Sequence, residues 1–481
     1  MELWQSLARW ADQQPDRLAV LTPGRQLTYG QLKRRSSAIA RQLDSLQSTR
    51  IGARTSDPIE MAIAFYAIAA SGKTLVVIDP AWPENLASTM AASLHCKYMI
   101  ESPNLTTLPG VSRLMAFPES PADDDYVASA ANLSGSRDLL VICTSGSSSR
   151  PKPVVRTVGS WEEESLSAGS RILGASLDQA TLCPSPISHG LGLYAMVESV
   201  HSGGTFLATG KWDLNGMRSL LSQSSCTRIV SVPTILRRVL ELAEPTFLSN
   251  LLVVVSGGEA LHQETVQLLH EIAPMARCVE YFGSSEHSLI AYRERKPDQP
   301  ASPYFEGQLF PGVRAHIHGK DSATGFGLLY IDSPFNAKGY DASSEASVSR
   351  CGKSIGIGDR AMLASGSARV VLARRNDEMM NLNGNNIHPG EVSTALESVG
   401  LPNAIVRLDE SGPEPQMVAY TVSPPRSRST LLSSLGQHLS RYKIPHRITY
   451  LRSWPETFSG KLNTAALNDQ DLDIERSDWL R

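Results

Sequence analysis

The stretch LLVICTSGSSSRPKPVVRT, residues 139–157, decides the fold. An apolar, β-branched run ends at Cys143 and gives way to Thr144-Ser145-Gly146-Ser147-Ser148-Ser149-Arg150-Pro151-Lys152. Small hydroxylated residues around a glycine let backbone N–H groups approach an anion closely. Their hydroxyls add donors, and Lys152 adds a positive charge. A buried strand ending in such a loop is how open α/β sheets present ligand sites. The loop lacks the G-x-x-x-x-G-K pattern of the Walker type. Taken alone, it reads more readily as a serine-rich surface loop.

Working outward, residues 74–78, 228–232 and 251–255 repeat the character of 139–142, short and β-branched. Helical stretches such as 265–272 lie between them, which predicts parallel sheets covered by helices. Residues 61–70 read as a buried helix. Leu3, Trp4, Leu7 and Trp10 recur at helical spacing, which predicts an amphipathic N-terminal helix. The last part of the chain differs in style. Short strands are expected at 370–373, 403–406 and 417–422, with helices at 389–398 and 429–441. The polar stretch 373–378 is a candidate hinge. The expected fold is therefore α/β: a large N-terminal domain, 1–376, of helix-covered, mainly parallel sheets, and a small mobile α+β domain, 377–481.

Composition bounds the function. With 481 residues, 41% hydrophobic and 19% charged, the chain can bury a sizeable core. Its formal charge of -3 supplies no field to hold a polyanion, which argues against nucleic acid as partner. Six scattered cysteines include no C-x-x-C pair, which fits reduced thiols rather than zinc or a disulfide framework. The N-terminus lacks the apolar core of a signal peptide, and no apolar run reaches the ~18 residues of a membrane span. A cytoplasmic location is expected.

Further segments follow in order. LTYGQL (27–32) and ASGKTLVVIDPAWPENLA (70–87) lie upstream. VVVSGGEAL (253–261), EYFGSSEHS (280–288), GIGDR (356–360), ARRNDEMMNLNGNNIHPGEV (373–392) and WPETFSGKLN (454–463) lie downstream. Each is weak alone. As an ordered set spanning nearly the whole chain, they resemble the adenylate-forming superfamily of acyl- and aryl-CoA synthetases, peptide-synthetase adenylation domains and firefly luciferase.

The resemblance implies two half-reactions. A carboxylate first attacks the α-phosphate of ATP, forming acyl-AMP and pyrophosphate; a pantetheine thiol then attacks the acyl-adenylate. It also implies roles. Thr144, Ser145, Gly146, Ser147 and Lys152 would grip the β- and γ-phosphates, although Ser148-Ser149 and Pro153 depart from the usual glycine-richer pattern. Gly257, Gly258 and Glu259 would form the turn beside adenine. Phe282, Gly283, Ser284, Ser285 and Glu286 match the family's Tyr-Gly-x-Thr-Glu, in which Phe282 would stack on adenine and Ser285 would hydrogen-bond the α-phosphate. Glu286 would hold Mg²⁺, a hard cation suited to carboxylate oxygen. Asp359 would accept both ribose hydroxyls. Arg375 would reach ribose and phosphate, and Asp377 would be the hinge between domains; Asn381 departs from a frequent lysine. Lys461 would bridge the acid's carboxylate and the α-phosphate. After adenylation the small domain would rotate, bringing Gly384 to a thiol channel.

The segment CPSPISHGLGLYA, residues 183–195, fits a family His-x-x-Gly at His189 and Gly192, near the acid and the thiol. Ile187-Ser188-His189 offers no carboxylate to hold a substrate ammonium, which favours an acyl or aryl acid over an amino acid. The alternative, that His189 merely caps the following helix, stays open at this point. With 20 residues after Lys461, a separate acceptor is expected, either coenzyme A or the phosphopantetheine of an acyl or peptidyl carrier protein. Two rivals stand: a stand-alone amino-acid-activating enzyme, and a catalytically inactive nucleotide-binding protein. The retention of Lys461, Glu286 and Asp359 weighs against the latter. A dinucleotide oxidoreductase would need a G-x-G-x-x-G turn after a strand, and none is convincing.

Overall fold

The computed structural model describes residues 3–114, 126, 128, 135–144, 151–161, 163–299, 302, 304–322, 324–344, 347–364, 368–372, 380–382, 385–387, 389–409, 415–439, 441–456, 462–468 and 472–480. The chain forms two compact units. The first comprises Met1–Asp298, Gly307–His316 and Tyr330–Ile357; the second comprises Gln299–Glu306, Ile317–Leu329 and Gly358–Arg481.

In the first unit the elements that position the site are, in chain order, α1 (Pro58–Ser71), β1 (Thr74–Val77), β2 (Asp138–Thr144), β3 (Lys152–Thr157), α2 (Glu163–Leu173), α3 (Gly190–His201), β4 (Arg228–Ser231), β5 (Val253–Gly257), β6 (Arg277–Ser284), β7 (Ser288–Arg295) and β8 (Gly339–Tyr340). One seven-stranded sheet runs β8-β3-β2-β1 and continues through Arg50–Arg54, Tyr98–Glu101 and Ser112–Arg113. β1 and β2 pair in parallel, while β3 returns antiparallel beside β2. In the other sheet, β6-β5-β4 run parallel and continue in parallel through Ala180–Leu182, Thr205–Leu207 and Leu18–Thr22. The sheets are thus mixed: the strands from β6 to Leu18–Thr22 run parallel, as the alternation predicted, while β7 and the strands beyond it pair antiparallel.

α1 shows why this region reads so plainly from sequence. Asp57 accepts hydrogen bonds from the Ile59 and Glu60 N–H groups, Pro58 occupies the first turn, and Gly72 ends the helix at φ 73. Every residue between is buried, so the helix is apolar all round.

The second unit carries a separate core. Pro389–Ser398 and Arg428–His438 pack on a four-stranded sheet of Ile405–Asp409, Gln416–Thr421, Arg447–Leu451 and Ile474–Trp479. Arg369–Leu372 does not join that sheet, contrary to the grouping expected from sequence. It pairs antiparallel with Arg360–Leu363 instead. The hinge stretch 373–378 lies outside the described residues.

Candidate functional site

Thr144 and Lys152 face each other as the last pair of the β2–β3 ladder. The two residues thus flank the expected phosphate loop, with Lys152 at the start of the antiparallel return strand β3. Ser145, Gly146 and Ser147 lie outside the described residues. So do Arg375, Asp377, Gly384 and Lys461.

β8 adds a residue that sequence reasoning missed. Tyr340 pairs with Val154 on β3, and the Asp341 N–H donates to the Pro153 carbonyl at 2.8 Å. The Lys152 ammonium lies 6.0 Å from the centre of the Tyr340 ring, within cation–π reach. The Tyr340 hydroxyl donates to Glu286 Oε1 at 2.9 Å. One aromatic ring thus links Lys152, expected to grip phosphate, to the expected metal-binding carboxylate. Asp341, the next residue, is paired with Arg50. No local signal marks Tyr340, because its partners come from distant segments.

Glu286 sits at the tip of a second hairpin. β6 and β7 pair antiparallel down to Ser284 opposite Ser288, leaving Ser285, Glu286 and His287 as the loop. Ser288 closes it with φ 56. Glu286 is 6% exposed, and the Ala337 N–H donates to its backbone carbonyl at 2.7 Å. Behind it, the fully buried Arg156 guanidinium donates to the Phe335 carbonyl at 2.7 and 3.1 Å and to Ser288 Oγ at 2.6 Å. Burial pushes Arg156 down to about 10, while the nearby Glu286 charge pulls the other way. The hairpin is tight. A Cβ on Gly283 would lie 2.0 Å from the Ser288 carbonyl oxygen, which is backbone and cannot swing aside. Gly283→Ala is expected to cost about 3 kcal/mol and to displace Ser285 and Glu286. A lowered denaturation midpoint together with lost ATP binding would check this.

The turn after β5 is built on the same logic. Gly257 leaves room for the Tyr281 ring, whose Cε1 would lie 2.3 Å from a Cβ there, and Gly258 adopts φ 86, a left-handed conformation suited to glycine. Glu259 Oε2 accepts the Thr234 hydroxyl at 3.0 Å. Ser231 and Ser256 are register partners at the ends of β4 and β5. Their buried hydroxyls have no hydrogen-bond partner among the described residues. Phe282 is half-buried on β6, opposite Ala291.

His189 occupies the N-cap position of α3, yet its side chain makes no capping bond. Its Nε2 instead lies 2.7 Å from Asp79 Oδ2. The helix-cap reading is therefore displaced, and a carboxylate does stand beside the His-x-x-Gly segment. It comes from 110 positions upstream, which is why local sequence did not reveal it. A usable signal was present: Asp79 directly follows the apolar run TLVVI, at the strand end where ligands bind. Ser285 is near too, since its Oγ would lie 3.5 Å from a Cβ on Gly190. The first unit therefore gathers His189, Ser285, Glu286 and Lys152 on adjoining turns and strand ends. In the second unit, Asp359 is 9% exposed, and its carbonyl accepts the Leu329 N–H at 2.8 Å.

A family model described as AMP-binding enzyme matches residues 7–341. The chain belongs to the AMP-binding enzyme family. It is an AMP-forming ligase of the class that activates a carboxylic acid with ATP and passes the acyl group to a thiol. The chain is 24% identical to VraA of Staphylococcus epidermidis, named as a candidate long chain fatty acid-CoA ligase, over 98% of this chain and 99% of that one. It is 24% identical to tyrocidine synthase 2 of Brevibacillus parabrevis, covering 95% of this chain and 13% of that much longer one. Among solved structures, O-succinylbenzoate coenzyme A synthetase from Bacillus subtilis in complex with AMP superposes with a TM-score of 0.78 at 21% identity, over 98% of both chains. Family membership confirms the fold and the reaction class that the ordered segments implied. Among the described residues no helix is long and apolar enough to cross a membrane.

Proposed function

We propose that this family member activates an acyl or aryl acid lacking an α-amine, and transfers it to coenzyme A or to the phosphopantetheine of a separate carrier protein. One observation carries the substrate reading. Asp79, the carboxylate beside His189, is already engaged: Oδ2 by the His189 ring and Oδ1 by the Ala81 N–H at 3.0 Å. A carboxylate so committed is a poor seat for a substrate ammonium. Should it be released from His189, it would suit one, which keeps the amino-acid-activating reading as runner-up.

In this reading Lys152 and the hydroxyls of Thr144, Ser145 and Ser147 hold the β- and γ-phosphates, and Gly146 lets the backbone approach. Phe282 and the Gly257-Gly258-Glu259 turn receive adenine, and Asp359 with Arg375 receives ribose. Ser285 meets the α-phosphate. Glu286 fits Mg²⁺: Tyr340 donates to Oε1, and in this reading Oε2 meets the hard cation. Among the described residues no group of three or more His, Cys, Asp or Glu side chains forms a metal cage. A cation held by one carboxylate and nucleotide oxygens suits magnesium, which keeps much of its water. Bound there, it would offset the charge of the phosphates. Domain rotation about Asp377 and a thiol channel at Gly384 complete the proposal.

The test is ATP–pyrophosphate exchange against fatty, aryl and amino acids. Exchange with fatty or aryl acids is expected, and exchange confined to amino acids would establish the runner-up. Product analysis with coenzyme A and with a pantetheinylated carrier protein then identifies the acceptor.

A further inference from the structure

Asp79 follows β1, and its side chain is 13% exposed. Burial pushes its carboxyl up. Bonds from His189, the Ala81 N–H and Ser188 outweigh that and hold it below the ordinary carboxylate value. It is therefore ionised and can only accept. The hydrogen between it and His189 then sits on Nε2, so the tautomer this contact selects carries its lone pair on Nδ1. The His189 side chain is 29% exposed, so this ring is open to a small reactant. The following residue, Gly190, adjoins Ser285.

We propose that Asp79 is a positioning residue for thiol transfer, holding His189 in the tautomer whose Nδ1 takes the proton of the attacking thiol. The proposal rests on the adenylation reading above. In the step, the S–H proton passes to Nδ1 and the freed sulfur electron pair forms a bond to the acyl carbonyl carbon. The carbon–oxygen bond to phosphate breaks, its electrons leave with AMP, and the imidazolium later returns its proton to solvent. Beside Asp79, such a cation is stabilised, as in carboxylate–histidine pairs generally. Cys143, near the end of β2, lies within the field of Asp79. Burial, together with Cys96, Asp341 and Asp79, pushes its thiol up to about 12, so it stays neutral in the working range.

The test is Asp79→Asn in the full chain, with each half-reaction followed separately. Thiol transfer is read as a single turnover of preformed acyl-adenylate with pantetheine. The asparagine amide donates to Nε2 and favours the opposite tautomer. At pH 7 thiol transfer is expected to fall at least about 100-fold, well beyond any fall in adenylation. The gap should narrow towards pH 9, because a thiol with a pKa of about 8.5 then ionises unaided. Equal losses in both half-reactions, or a loss independent of pH, overturns the proposal. His189→Gln provides a second route: it should reproduce the pH-dependent loss, and the double variant should be no worse. Additive losses overturn the pairing. Absence of exchange in the unaltered enzyme with every acid would instead overturn the adenylation reading.

Discussion

Replacing Lys461 by alanine is expected to lower ATP–pyrophosphate exchange about a thousandfold while sparing most thiol transfer from supplied acyl-adenylate. The magnitude follows from charge. Bringing a carboxylate against the α-phosphate of ATP sets two anions together, and an ammonium between them relieves the repulsion. At ~4 Å and an effective dielectric of about 20, one such contact contributes about 4 kcal/mol before desolvation. Each 1.36 kcal/mol in a barrier is roughly tenfold in rate, so the loss spans about three decades. The ammonium assists a charge that exists only while pyrophosphate is leaving. Once acyl-AMP has formed, the attacking thiol needs a base and a channel, which the proposal assigns to His189 and the Gly384 turn. Separate assays of the two half-reactions check this. A fall of the same size in both would mean that Lys461 serves the whole site. Arginine at the position should rescue poorly, because a planar fork cannot replace a compact point charge.

What could be read before the fold was known, and what could not, follows from how far apart the partners lie. The run 139–144 announced its strand because a strand covered on both faces is apolar on both, and the serine-glycine loop marked its end. α1 announced itself for the same reason. Arg447–Leu451 and Ile474–Trp479 escaped notice: the first mixes polar with apolar residues, and the second is largely exposed and charged. Arg369–Leu372 was recognised as a strand but given the wrong neighbours, since a β-branched run reports its propensity and not its partner. Site residues divide the same way. Ser285 and Glu286 were legible because a short hairpin holds them together. Tyr340 meets Glu286 from 54 positions away and Asp79 meets His189 from 110, and no local pattern encodes either contact.

Glu198→Ala is expected to destabilise the first unit by about 3–5 kcal/mol, with urea denaturation as the measurement. Glu198 lies on α3 and Arg228 opens β4, and their side chains are 1% and 0% exposed. Nη2 meets Oε2 at 2.6 Å, while Nε donates to the Leu173 carbonyl at 2.8 Å. Removing the carboxylate strands a guanidinium with no water to receive it. Yet the pair need not stabilise the fold relative to apolar side chains, because burying two ions costs several kcal/mol before they attract. Glu198→Leu combined with Arg228→Met should therefore recover most of the loss, so that the two changes couple strongly in a double-mutant cycle. The Arg237–Glu241 pair supplies the contrast. Both side chains are about two-fifths exposed, at 40% and 44%, and Glu241→Ala is expected to change stability by less than about 1 kcal/mol. A cost for Glu198→Ala no larger than that would mean that water reaches the buried pair. The pair also bears on chemistry, because it pins the helix that begins beside His189. If the apolar double variant folds stably but transfers acyl groups poorly, the pair serves to hold α3 in place rather than to stabilise the unit.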